Sequence, residues 1–210
     1  MSAAARYVVA GAGGHAKVVI ATIEASGGEV VRVLDDDRAL HGTRVLGHLV
    51  EGPITDALVP VGAYVVLGIG SNRTRRAVAN RLGGAFGTVV HPSAIVHPSA
   101  LLGSGSVVFA GAVIQPGAAI GRHVIINTAA SVDHDCVLGD FVHVAPGVRL
   151  AGAVTLGRGV LMGIGSCALP GARVGDWSVV GAGAVVLREI PPATIATGVP
   201  ARVVGRNGDV

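Results

Sequence analysis

The stretch "SVDHDCV", Ser131 to Val137, holds the side chains best suited to chemistry in this chain of 210 residues. An imidazole has a near-neutral pKa. A carboxylate beside it holds one tautomer and stabilises the imidazolium that forms when the ring takes a proton. His134 with Asp135 is therefore a candidate general base, and Asp133 is a rival for the orienting role. A surface histidine flanked by solvated acids at a turn is the alternative. Cys136 is a nucleophile by type. A second cluster, "GAGGH", comprises Gly11, Gly13, Gly14 and His15 around Ala12; it follows an apolar strand and opens a helix, so its backbone N–H groups are placed to receive a diphosphate. The full GxGxxG spacing is missing, which weakens a dinucleotide reading. Asp35 and Asp36 end the next strand, where acids hydrogen-bond a base or ribose, and Ser71, Asn72 and Arg75 follow a third glycine turn as further contacts. Taken singly, each of these is as readily a helix cap or a solvated helix residue.

Two kinds of element must position these residues. From Arg6 to about Phe86 apolar strands, glycine turns and helices alternate, which predicts a parallel sheet with helical crossovers. From Val90 the period becomes six. Every sixth residue through Val186 is apolar, and the position four residues after each, Ala94 through Ala184, never exceeds valine in size. That period is neither the 3.6 of a helix nor the pattern of a hairpin meander, and it predicts a solenoid. Gly103, Gly121, Gly139, Gly157 and Gly175 recur every 18 residues, so three hexapeptides make one coil and about five coils build a three-sided prism. In this phase Val132 and Cys136 point inward, which makes the thiol buried filler and turns His134 and Asp135 toward the surface. His143 lies half a coil further, across the prism from His134; Asn127, 16 residues before His143, shares the side of His143. A site using all three must lie between two copies of the chain. The alternative is that His143 only packs at a seam.

The segments "VLGDFVHVAPGVRLAGAVTLGRGVLMGIGSC" and "PPATIATGVPAR" resemble the hexapeptide-repeat acyltransferases. Joined to the opening "VVAGAGGHAKVV" and to "NTAASVDHDCVLGDFVHVAPG", they are similar to the bacterial sugar O- and N-acetyltransferases of the bacillosamine, perosamine and sialic acid type. The resemblance implies a Rossmann-like nucleotide-sugar-binding domain over residues 1–87. It implies a left-handed parallel β-helix of hexapeptide repeats, with a C-terminal tail, over 88–210. Handedness comes from the resemblance alone, since the general crossover rule favours the right hand. The same resemblance implies a homotrimer with sites between subunits, acetyl-CoA as co-substrate, no metal, and direct transfer to a UDP- or GDP-linked 4-amino sugar. It assigns catalysis to His134 and Asp135, although some relatives carry Glu in place of the aspartate. Contacts to acetyl-CoA fall on Asn127, His143, Gly163, Gly181, Ala182 and Arg202, and the nucleotide sugar falls to the "GAGGH" turn, Asp35, Asp36, Ser71, Asn72 and Arg75. Transfer to a sugar hydroxyl and a non-catalytic β-helix binding module are the competing readings. A zinc β-helix of the carbonic anhydrase kind fits poorly, because the spacings of His123, His134 and His143 do not present three ligands.

Composition narrows the classes further. Sixteen Lys and Arg against 13 Asp and Glu give a net charge of +3 with scattered arginines, which gives nucleic-acid binding little support. Two cysteines make neither a disulfide framework nor a zinc site and suit a reducing compartment. Without a leader-like N-terminus or a long uninterrupted apolar run, the expectation is a cytoplasmic protein with no membrane insertion.

Overall fold

A computed structural model describes residues 4–208. It opens with β1 (Arg6–Ala10), α1 (Gly14–Ala25), β2 (Glu29–Leu34), β3 (Ala63–Leu67) and α2 (Asn72–Arg81). The three strands form a parallel sheet in the order β2-β1-β3. Apolar β1 is buried through Val8, Val9 and Ala10, and α1 buries Ala16, Val19, Ile20 and Ile23, the spacing of one helical face. Gly11 ends β1 at φ +113°, and a Cβ there would stand 2.9 Å from the Gly68 carbonyl oxygen. Only glycine lets the turns after β1 and β3 pack against each other. That packing gathers both turns at the carboxyl edge of the sheet, where open α/β sheets hold ligands.

Beyond α2 the chain runs beside β3, with the Val65 amide donating to Ala85, and enters the repeat at Val89. Two-residue strands then follow at every hexapeptide from Val89–Val90 to Val185–Val186, each ending on the repeat aliphatic. They stack as three parallel sheets, here termed faces. The first face runs from Val89–Val90 and has eight strands, the last two being the antiparallel pair Thr194–Thr197 and Arg202–Arg206. The second, from Ile95–Val96, and the third, from Leu101–Leu102, have six strands each. Equivalent residues one coil apart pair directly, as Ile114 with Val132 and Val132 with Leu150. Ile114, Ile126, Val132, Leu150, Leu156 and Met162 are sealed inside, with Ala112, Cys136, Val148 and Ala184 at the tight corners. Each fully buried aliphatic contributes roughly 1.5–3 kcal/mol, and only through its neighbours one coil above and below.

The outer side of the first face is not left to solvent. Val89, Val107, Phe109 and Ile125 form one apolar layer with Val19, Ile20 and Ile23 of α1, which ties residues before and after position 88 together. Outward residues of the other faces stay open, with Ile95 66%, Leu101 69% and Val137 50% exposed. No helix among the described residues is long and apolar enough to cross a membrane.

Candidate active site

His134 and Asp135 occupy the turn between Ser131–Val132 of the second face and Val137–Leu138 of the third. Asp135 adopts φ +59°, a left-handed conformation that aspartate tolerates better than most side chains. This places its Oδ2 2.8 Å from His134 Nδ1. A carboxylate only accepts, so Nδ1 carries the hydrogen and Nε2 keeps a bare lone pair on a side chain that is 60% exposed. The pairing with Asp135 raises the imidazole pKa, and the nearby Asp133 charge adds to the effect. Asp133 itself accepts the His134 backbone N–H at 2.7 Å and does not touch the ring. The neighbouring coils leave room for this pair: a Cβ at Gly152 would stand 2.5 Å from His134 Cε1 and Nε2, and one at Gly117 2.6 Å from Asp135 Oδ1. Cys136 is fully buried with its Sγ 3.2 Å from the Ala151 carbonyl oxygen, and burial raises its pKa. An inert thiol in that setting is filler.

On the other side of the prism, the two glycine turns open a cleft of about 400 Å³ lined by Gly11, Gly13, Gly14, His15, Asp35 and Asp36. Helix α1 begins there at Gly14, its N-cap Gly13 bringing no side-chain cap, so its first amides face the cleft. Asp35 is already engaged, its oxygens accepting from the Ala12 and Asp37 amides at 2.6 and 2.8 Å. Asp36 is held by Arg81 at 2.6 Å and by the Ile54 amide, which keep its pKa low against the cost of desolvation. The cleft floor reaches the first face, where His15 packs 5.4 Å from Phe109 and 6.0 Å from His143, ring centroid to centroid. Burial, reinforced by the Arg75 charge, pushes His15 to about 4 and His143 to about 3, so both rings are neutral at physiological pH. Asn127 Nδ2 lies 3.1 Å from His143 Nε2, on the shared side that the coil arithmetic anticipates.

The N-terminal residues 6–82 match the family described as the PglD N-terminal domain. The acetyltransferase domain of PglB from Neisseria gonorrhoeae, solved with acetyl coenzyme A, is 37% identical at a TM-score of 0.90, with 96% of this chain and 100% of that one covered. A variant of perosamine N-acetyltransferase from Caulobacter crescentus, solved with CoA and GDP-perosamine, is 40% identical at a TM-score of 0.87, with 97% and 98% covered. This chain belongs to the hexapeptide-repeat sugar acetyltransferases. Its fold class is their Rossmann-like parallel sheet followed by a left-handed parallel β-helix. Serine acetyltransferase of Salmonella typhimurium is 36% identical over 155 residues, covering 65% of this chain and 46% of the relative. The chain thus spans about half the length of the curated relatives it matches.

Several positions in this chain depart from the sequence expectation. Ser71, Asn72 and Arg75 do not line the cleft beside the "GAGGH" turn; Thr74 does. Ser71 Oγ caps α2 by accepting the Thr74 amide, Asn72 donates its amide to the Gly159 and Val160 carbonyls, and Arg75 is 1% exposed. An arginine sealed between the sheet domain and the prism cannot touch a substrate. His143, expected along CoA, instead points under the glycine turns, with Nδ1 3.3 Å from the Gly70 carbonyl oxygen. Gly163 is demanded by stacking, since a Cβ there would stand 2.6 Å from the Ala182 amide of the next coil, and at Gly181 a Cβ would meet Thr197. Ala182 and Arg202 are exposed; Arg202 Nη1 reaches only the Ala201 carbonyl. His123 packs flat on Phe141 at 5.0 Å and edge-on to Phe86, and no group of three His, Cys, Asp or Glu among the described residues is placed to hold a metal ion. Sequence reasoning missed Gly152 and Gly117, although each stands one 18-residue period from the dyad and that period was the available signal.

Proposed function

We propose that this protein transfers the acetyl group of acetyl-CoA to the amine of a nucleotide-linked 4-amino sugar, with His134 as general base and no acyl-enzyme. The observation that carries the reading is the pairing of two half-sites. One is an exposed dyad whose Nε2 keeps a bare lone pair. The other is a cleft lined by the uncapped helix start and His15, with His143 beside His15 and Asn127 paired to His143. A diphosphate resting on the α1 amides would direct its sugar toward that neutral imidazole pair. The relatives solved with acetyl coenzyme A, or with CoA and GDP-perosamine, support the co-substrate and the acceptor class.

The corner between the first and second faces fits a thin, flexible arm. Gly163, Gly165, Gly181, Ala182 and Gly183 leave few side chains there besides the exposed Ile164, and the exposed Arg202 beyond the last coil is free to meet a phosphate. In the transfer, His134 Nε2 takes the proton as the sugar nitrogen attacks the thioester carbonyl. Asp135 stabilises the imidazolium, and the collapsing adduct expels the CoA thiolate, which the imidazolium protonates. Within one chain the dyad corner lies across the prism from the first face, so the half-sites meet only between copies. We assign a homotrimer acting in the cytoplasm, with each site built from two chains. The open aliphatics Ile95, Leu101 and Val137 give that assembly a surface to bury.

The deciding experiment measures acetyl-CoA turnover with a panel of UDP- and GDP-linked 4-amino sugars and with sialic acid, for the wild type and His134→Ala. We expect one nucleotide-linked amino sugar to be preferred and the variant to lose at least about 100-fold in turnover. Near-normal turnover by the variant removes His134 from the role. Preference for sialic acid favours O-acetylation, and absence of any turnover favours a binding module.

A further inference from the structure

Arg75 binds nothing but carbonyl and amide oxygens. Its Nε donates to the His123 carbonyl at 2.9 Å, Nη1 to the carbonyls of Ile69 and Gly70 at 3.1 and 3.2 Å, and Nη2 to Phe141 O at 2.8 Å and Asn72 Oδ1 at 2.9 Å. All five N–H groups of the guanidinium are thereby spent on four places: two stacked turns at one corner of the β-helix, the third glycine turn and α2. No carboxylate among the described residues forms an ion pair with it. A buried cation without an anion is a poor way to add stability, since apolar replacements of buried charges are often neutral or stabilising. Its presence calls for another account, and the shared acceptor supplies one. The Gly70 carbonyl receives both Arg75 Nη1 and His143 Nδ1.

A carbonyl only accepts, so His143 must carry its hydrogen on Nδ1. Nε2 is then bare and accepts from Asn127 Nδ2, while Asn127 Oδ1 is fixed by the Thr128 amide at 2.8 Å. The orientation of the amide therefore follows from the tautomer, and the tautomer from the position of one carbonyl. We propose that Arg75 is a positioning residue of the transfer site: by clamping the Ile69–Gly70 turn onto the first face, it fixes the tautomer of His143 and the N–H that Asn127 presents to the acceptor. The proposal rests on the reading that the His143–Asn127 pair belongs to the acceptor half-site. A lysine would keep the charge but, with one nitrogen, could not hold acceptors spread around a planar fork. His143 is faced by Arg75 from α2, by His15 from α1 and by the Gly70 carbonyl; burial first, then the charge of Arg75 and the ring of His15, keep it neutral.

The test uses the full chain labelled with nitrogen-15 at histidine. In the wild type, long-range proton–nitrogen spectra should show His143 as a single Nδ1–H tautomer that does not titrate between about pH 5 and 8. In Arg75→Lys and Arg75→Met, His143 should show mixed tautomers. Turnover should fall about 10- to 100-fold, with KM for acetyl-CoA little changed, because the clamp does not touch the bare corner. An Nε2–H tautomer in the wild type overturns the proposal, and that spectrum is decisive even if Arg75→Met fails to fold. Wild-type turnover in Arg75→Lys, or an unchanged single tautomer in either variant, also overturns it. The tautomer is read without substrate, so a failed acceptor panel beside a shifted tautomer would sink the functional reading and leave the clamp intact.

Discussion

At the scale of single residues, the dyad owes its geometry to a backbone conformation that few side chains accept. Asp135 sits at φ +59°, and there its carboxylate, though exposed, folds back onto the ring of the preceding residue. The hydrogen bond to Asp135 is the largest cause of the raised pKa of His134. A general base works in its neutral form, so kcat/KM falls as pH drops through that raised value. In Asp135→Asn the acid limb of the pH profile should move to lower pH, because the imidazolium loses its anionic partner. The plateau should drop at least about 10-fold, because the amide supports either tautomer. An acid limb left in place would take Asp135 out of the pairing. The identity of the pair was legible from residue types alone, since imidazole and carboxylate stand adjacent in a turn whose phase points outward. The choice of Asp135 over Asp133 was not legible, because both flank the ring and only the turn geometry commits one of them to a backbone amide.

At the scale of the element, each corner of the β-helix is a column of turns whose members share space with the turn one coil away. His134 lies over Gly152, where a Cβ would stand 2.5 Å from the ring. The obstructed atoms are the far end of a flexible side chain, so a methyl group there moves the ring and leaves the coil. Gly152→Ala should therefore keep a melting temperature within a few degrees of wild type while turnover falls about 10- to 100-fold. Full turnover in this variant would show that the base tolerates displacement. At the corner between the third and first faces, the same stacking sets the carbonyls of His123 and Phe141, one coil apart, where Arg75 donates to both. The repeat thus works as a ruler: an 18-residue step in sequence is one strand spacing in space.

At the scale of the molecule, the two half-sites lie on opposite sides of one prism, and the sheet domain covers the first face and its corner with the third. In the proposed trimer the dyad of one chain meets the cleft of the next. His134→Ala and His143→Ala should each be nearly inactive alone. Co-refolded in equal amounts, they should recover about a quarter of wild-type activity, since random mixing leaves one interface in four with both histidines intact. No recovery beyond the sum of the two separate variants would mean that each chain carries its whole site, and would end the shared-site reading.

The hexapeptide phase determined the prism, the inward and outward sense of every repeat residue, the outward dyad and the common side of Asn127 and His143. These follow from steric periodicity, which is local and repeats without error down the chain. The tertiary structure alone decided how the sheet domain rests on the first face. It turned Arg75 from an expected substrate contact into a buried clamp, and it placed His143 beneath a glycine turn 73 residues earlier in the chain. Contacts between elements so far apart depend on how two surfaces fit, and no period in the sequence encodes that fit.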